Sequence, residues 1–242
     1  MIRFLATLTS VLLGAGLLAA GPTRDAEADA QEMLTRAETL ARAERFDEAR
    51  VLYKSLADKY PNTAAGAVGV RRSAPSAFLG WKEIEKSGPS SNRADVVLMG
   101  DGYTLEHMKT FDRLAEEVPR IFERQKTFRE YWSYLNFARA DMLSAENGVI
   151  GFGRTYDTAL GGRVLGTIAG HVGIDREKVK TALAEVPDND DLAIVFVRQG
   201  VYGTGSRGVA VVGGTDARTM MHEWGHAFAG LSDEYDVEQV RH

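Results

Sequence analysis

His222 and His226 stand four residues apart with Glu223 beside the first of them, in the run His222-Glu223-Trp224-Gly225-His226. On a helix, positions i and i+4 share a face, so both imidazoles can reach one ion. Glu223 is one position further round. There it can contact a water without being a ligand, which is the geometry a general base needs. The ion that suits such a pair is zinc, which lowers the pKa of a bound water from about 15.7 to near 7 and polarises a carbonyl. Catalytic zinc sites use three protein ligands and keep one position open, so a third donor is required. Where a helix-breaking glycine leads to the third ligand, it stands three residues after the second histidine, and the ligand follows three later. Here Gly230 lies four after His226 and Asp233 three after Gly230, which makes Asp233 the first choice and Glu234 the second.

The elements around these residues must hold them rigidly. Met220, Met221, Trp224 and Phe228 supply apolar positions, Thr215 or Asp216 can cap the helix, and Gly230 can take the left-handed conformation that ends it. A core helix with two incidental histidines is the competing reading. Burying Glu223 and both imidazoles without a purpose would cost several kcal/mol of desolvation, at the upper end of about 2–7. Composition narrows the chemistry further. With no cysteine there is no thiolate ligand, no disulfide framework and no cysteine nucleophile. A net charge of −5 without a concentrated basic block argues against nucleic-acid binding.

Upstream of the motif helix, alternating sheet and helix signals predict an α/β or α+β domain with a mixed sheet. Strands are expected at Asp95–Met99, Leu135–Met142, Leu192–Val197 and Val209–Val212. Helices are expected from a Thr104 cap toward Gln125, near Phe128–Tyr134, and from an Asp175 cap to about Val186. Residues 144–170 read as loop or weak strand. Before this domain, residues 25–61 carry helical periodicity broken near Glu44-Arg45, a helical hairpin. Its second half, with Ala49, Tyr53 and Pro61, resembles the second helix of a tetratricopeptide repeat in a single copy, a unit that needs neighbours to bury its faces. Residues 62–86, rich in Ala, Gly, Ser and Pro, read as linker, which places the catalytic domain at 87–242.

The run from His222 through Leu231, Asp233, Glu234 and Tyr235 resembles the bacterial IgA-peptidase family of zinc metallopeptidases, whose motif is His-Glu-x-Gly-His followed by Leu-x-Asp-Glu-Tyr. The likeness extends to Asn92-Arg93-Ala94-Asp95 through Gly100-Asp101-Gly102-Tyr103, to residues 187–191 and to Val201-Tyr202-Gly203, covering about Ser87 to Asp236. It implies a metzincin-like zincin domain that cleaves peptide bonds, with His222, His226 and Asp233 as ligands and Glu223 as catalyst. Such proteins continue beyond the motif with a subdomain and a methionine turn, so a truncated C-terminus is expected here. Met220 and Met221 precede the motif and do not fill that role.

Several other residues are candidates of lower rank. Tyr202 and Gly203 could line a substrate groove, and Tyr235 could stabilise an oxyanion or pack. Asp101 and Tyr103 read better as a structural turn, Asp188, Asp190 and Asp191 as a solvated turn, and His107 and His171 as structural histidines. Residues 1–21, with Arg3 followed by an apolar run from Phe4 to Ala20, have the layout of a secretory signal peptide. The expectation is an exported, periplasmic or secreted zinc endopeptidase acting on peptide or protein substrates, without stable membrane insertion after leader cleavage. A protein partner through the helical hairpin is also expected. The alternative reading is a zinc-containing envelope binding protein without turnover.

Overall fold

The computed structural model describes residues 23–151, 153–166, 171–190, 192–200 and 202–233; residues 1–21, expected to be a leader, and Glu234 and Tyr235 lie outside them. Helices α1 (Arg24–Arg42) and α2 (Phe46–Lys59) form the hairpin, joined where Glu44 adopts a left-handed backbone at φ 60°. Ala30, Leu34, Ala37 and Ala41 of α1 face Ala49, Tyr53 and Leu56 of α2, a core of small and medium side chains that lets the helices approach closely.

The stretch 62–86 is not a linker. It forms α3 (Ala64–Ser73) and strand β1 (Ala77–Lys86). The small residues that read as loop are packing residues: a Cβ on Gly66 would lie 1.8 Å from the Tyr60 carbonyl oxygen, and one on Gly69 would lie 2.7 Å from that of Tyr53. Thr63 caps α3 by accepting from the Gly66 N–H at 2.9 Å. With α3 on one side and β1 on another, the hairpin gains the neighbours it needs. The Tyr53 hydroxyl donates to the Leu79 carbonyl at 2.8 Å, and Arg72 of α3 pairs with Glu38 at 2.8 Å.

The main unit continues through β2 (Ala94–Asp101), α4 (Met108–Arg124), β3 (Leu135–Leu143), the two-residue strands β4 (Arg163–Val164) and β5 (Val172–Gly173), and α5 (Arg176–Leu183). It closes with β6 (Leu192–Val197), β7 (Thr204–Ser206), β8 (Val209–Gly213) and α6 (Ala217–Ala229). Six strands make one mixed sheet in the order β1-β3-β2-β6-β8-β7, parallel at its centre and antiparallel at both edges. The central strands are apolar on both faces, as buried parallel strands must be. Val96, Leu98, Ile194, Phe196, Ala210 and Val212 face α4 and α6, where Phe111, Phe122 and Trp224 fill the layer. Val97, Met99, Ala193 and Val195 face Val179, Ala182 and Leu183 of α5. The result is the mixed-sheet, zincin-like α+β arrangement the sequence predicts.

Local details differ from expectation. Thr104 caps no amide; its hydroxyl pairs with His107 Nδ1 at 2.7 Å across a single 3-10 turn, and α4 begins at Met108. The segment near Phe128–Tyr134 contains only a 3-10 turn at Trp132–Tyr134. Among the described residues, no helix is long and apolar enough to cross a membrane.

Candidate active site

Helix α6 begins at Asp216, whose carboxylate accepts from the Thr219 N–H at 2.8 Å. Trp224 and Phe228 project into or along the core side, stacked at 4.9 Å, while Phe122 meets Trp224 edge-on at 5.6 Å. That packing fixes the helix's rotation and turns His222 and His226 outward. The helix stops at Gly230, left-handed at φ 64°, with the Gly230 and Leu231 N–H groups bonded back to His226 and Gly225. The reversal carries Asp233 back over the histidine pair.

Three donors converge there. His222 Nε2 and His226 Nε2 are 3.1 Å apart, and Asp233 Oδ1 lies 3.1 Å from the first and 3.2 Å from the second. A tetrahedral zinc centre with bonds of about 2.0–2.1 Å has ligand-to-ligand edges of about 3.3 Å, so this near-equilateral triangle fits three corners of such a centre. The orientation of His226 is set from behind. Its Nδ1 lies 2.6 Å from the Leu231 carbonyl oxygen, which can only accept. The proton therefore sits on Nδ1 and the Nε2 lone pair faces the other donors, the arrangement in which an outer hydrogen bond orients a metal-binding imidazole. Among the described residues, His222, His226 and Asp233 are the one group of acidic and histidine side chains so placed.

Residues 82–241 match the family model described as IgA Peptidase M64. The chain belongs to that family. No curated protein matches it at a significant level. Members are metallopeptidases, so the M64 chain is a hydrolase of peptide bonds whose substrates are peptides or proteins.

Glu223 in this M64 peptidase is buried beside the triangle without contributing an atom to it. Burial raises its pKa to about 7; His226 pulls it down and Asp233 pushes it up. A cation held by the three donors would add a further downward pull. The carboxyl group rests on β7's approach: a Cβ on Gly203 would lie 2.5 Å from Glu223 Cγ and 2.2 Å from the Val211 carbonyl oxygen. Gly203→Ala should therefore displace Glu223 and lower kcat/KM on a peptide by roughly 10- to 100-fold, the scale of an ångström-sized misplacement. Metal content should stay unchanged, and parallel metal analysis and kinetics check both halves.

A cleft of about 240 Å³ lies at the mouth of the site, bounded by Arg218, Thr219, His222 and Glu223 of α6 and by Tyr202 and Gly203 before β7. Tyr202 is half exposed and stacks on His171 at 5.2 Å. His171 reads as an isolated structural histidine in the sequence because its partner is 31 residues away; the backbone bridge between them assembles this wall. Arg218 also lines this cleft, and its place four residues before His222 puts it on the same helix face, a spacing readable from the sequence. Asp101 and Tyr103 are structural. Asp101 is fully buried and accepts from the Leu160 and Gly162 N–H groups at 2.6 and 2.7 Å, and Tyr103 packs on Phe111.

Proposed function

We propose that this chain is an exported zinc metalloendopeptidase with His222, His226 and Asp233 as metal ligands and Glu223 as general base. The observation that carries the reading is the three-donor triangle with a buried, ligand-free carboxyl group at its side. A zinc ion held there would supply Lewis-acid polarisation of the scissile carbonyl and acidify the attacking water. Glu223 accepts the proton of that water as it attacks, and returns it to the leaving amine nitrogen as the C–N bond breaks. The Leu231 carbonyl keeps the His226 ring in the ligating tautomer throughout. Tyr202 and Gly203 are the substrate-facing wall, and Tyr235 follows the third ligand in sequence. Export is supported by the apolar, Arg3-led composition of residues 1–21.

The test is metal removal. Protein loaded with one equivalent of zinc should cleave members of a broad peptide library at internal bonds, lose that activity to a chelator and regain it with zinc. A zinc-loaded protein that cleaves nothing, or cleavage indifferent to chelation, would overturn the reading.

A further inference from the structure

The cleft beside the metal triangle has a cationic wall with no assigned task. We propose that Arg218 recognises a carboxylate on the substrate within two residues of the scissile bond, so that the peptidase favours acidic sequences or an acidic chain end. This inference rests on the metallopeptidase reading for the location of the scissile bond.

Three observations carry it. First, Arg218 is exposed and lines the same cleft as His222 and Glu223. It stands four residues before His222, about 6 Å along the helix axis. An extended peptide advances about 6.6 Å in two residues, so a side chain that close to the reacting bond comes within reach of the guanidinium. Second, the guanidinium keeps its donors available for a ligand. Asp216, two residues away, is held below its usual pKa first by the Thr219 N–H and in part by the Arg218 charge, but its Oδ2 is bonded to the Thr219 N–H and hydroxyl at 2.8 and 3.0 Å, and it makes no hydrogen bond to the guanidinium. Third, Arg218 is the second residue of α6, in the first turn, where the helix dipole disfavours a cation. A basic residue at that place works against the dipole, its local return being the charge it sets beside the Asp216 cap.

The chemistry of the wall fits a carboxylate in particular. A guanidinium presents a planar fork of donors that matches two carboxylate oxygens at once, and hydrogen bonds between two charged groups are the stronger kind. The exposed face of Tyr202 in the same cleft suits the methylene stem of an acidic side chain.

The experiment uses the zinc-loaded full chain and internally quenched peptides in matched sets. One set differs only in Glu against Gln at each of the two positions on either side of the cleaved bond. The other compares free with amidated C-termini. Wild-type protein should favour the carboxylate-bearing member by about 10- to 100-fold in kcat/KM, and Arg218→Gln should remove that difference. Arg218→Glu should shift preference toward Lys-containing peptides. Which set shows the effect tells whether a side chain or a chain end is recognised. A second readout needs no turnover: the dissociation constants of the same pairs for zinc-loaded Glu223→Gln protein, with and without Arg218→Gln. Absence of cleavage by wild type would remove the enzyme reading, while the binding ratios would still decide the role of Arg218. Equal handling of both members of every pair, or a preference that survives Arg218→Gln, would overturn the inference.

Discussion

Glu223→Gln is expected to retain one equivalent of zinc and lose about 10²- to 10⁴-fold in kcat, the range associated with a single general acid–base group. Glutamine keeps the shape that fits against Gly203 but cannot take a proton from water. The donor triangle is untouched, because all three of its atoms come from His222, His226 and Asp233. Stability should hold or rise. Glu223 is 6% exposed and burial already pushes its pKa to about 7, so a neutral amide removes a group that the fold desolvates at a cost. The expected signature is thus unchanged metal content, an equal or higher Tm, and lost turnover. It separates the variant from one at His226, where a ligand is lost and metal content should fall with activity. Turnover within tenfold of wild type would mean that another group moves the proton.

The three-donor triangle was legible in the sequence because it is local. Residues 216–233 contain the cap, the helix, the left-handed glycine and all three donors, so helical spacing and one turn determine the whole geometry. The central strands were legible for a similar reason. Leu192–Val197 is a continuous apolar run, and a strand buried on both faces has little choice of residue. What was hidden depends on contacts between distant segments. Gly66 and Gly69 look like loop residues until α2 lies against them. His171 and Tyr202 become one wall only through a backbone bridge across the cleft. The charges beneath the helical hairpin belong to the same class: Glu44, Lys82, Asp112 and the Arg139–Asp141 pair come from four separate segments, yet they meet at one point.

That cluster sets the largest expected effect on stability. Arg139 on β3 is fully buried and pairs with Asp141 at 2.7 Å, with Asp112, and with Glu44 at 3.6 Å, while Lys82 holds Glu44 at 2.8 Å. One guanidinium thus joins the sheet, α4 and the turn of the hairpin. Removing one partner of a buried ion pair leaves the others unsolvated, and Arg139→Leu should destabilise the protein by about 3–5 kcal/mol, or roughly 6–20 °C in Tm for a chain of this size. The deficit should depend on pH. Burial raises the Asp141 pKa to about 6 even though Arg139 opposes it, so the folded state binds this proton more tightly than the unfolded chain, whose aspartate titrates near 3.8. That contribution is complete below about pH 4 and is lost as pH rises through about 6. Without Arg139 the main opposition to the shift is gone and only the weaker pull of Lys82 remains, so Asp141 should stay protonated to higher pH. The variant's deficit, measured by denaturant unfolding, should therefore be smaller at pH 5 than at pH 8, and adding Asp141→Leu should recover part of it. A deficit below about 1 kcal/mol, the level of an exposed pair, would show that water reaches the cluster. An equal deficit at both pH values would show that Asp141 is not the group left stranded.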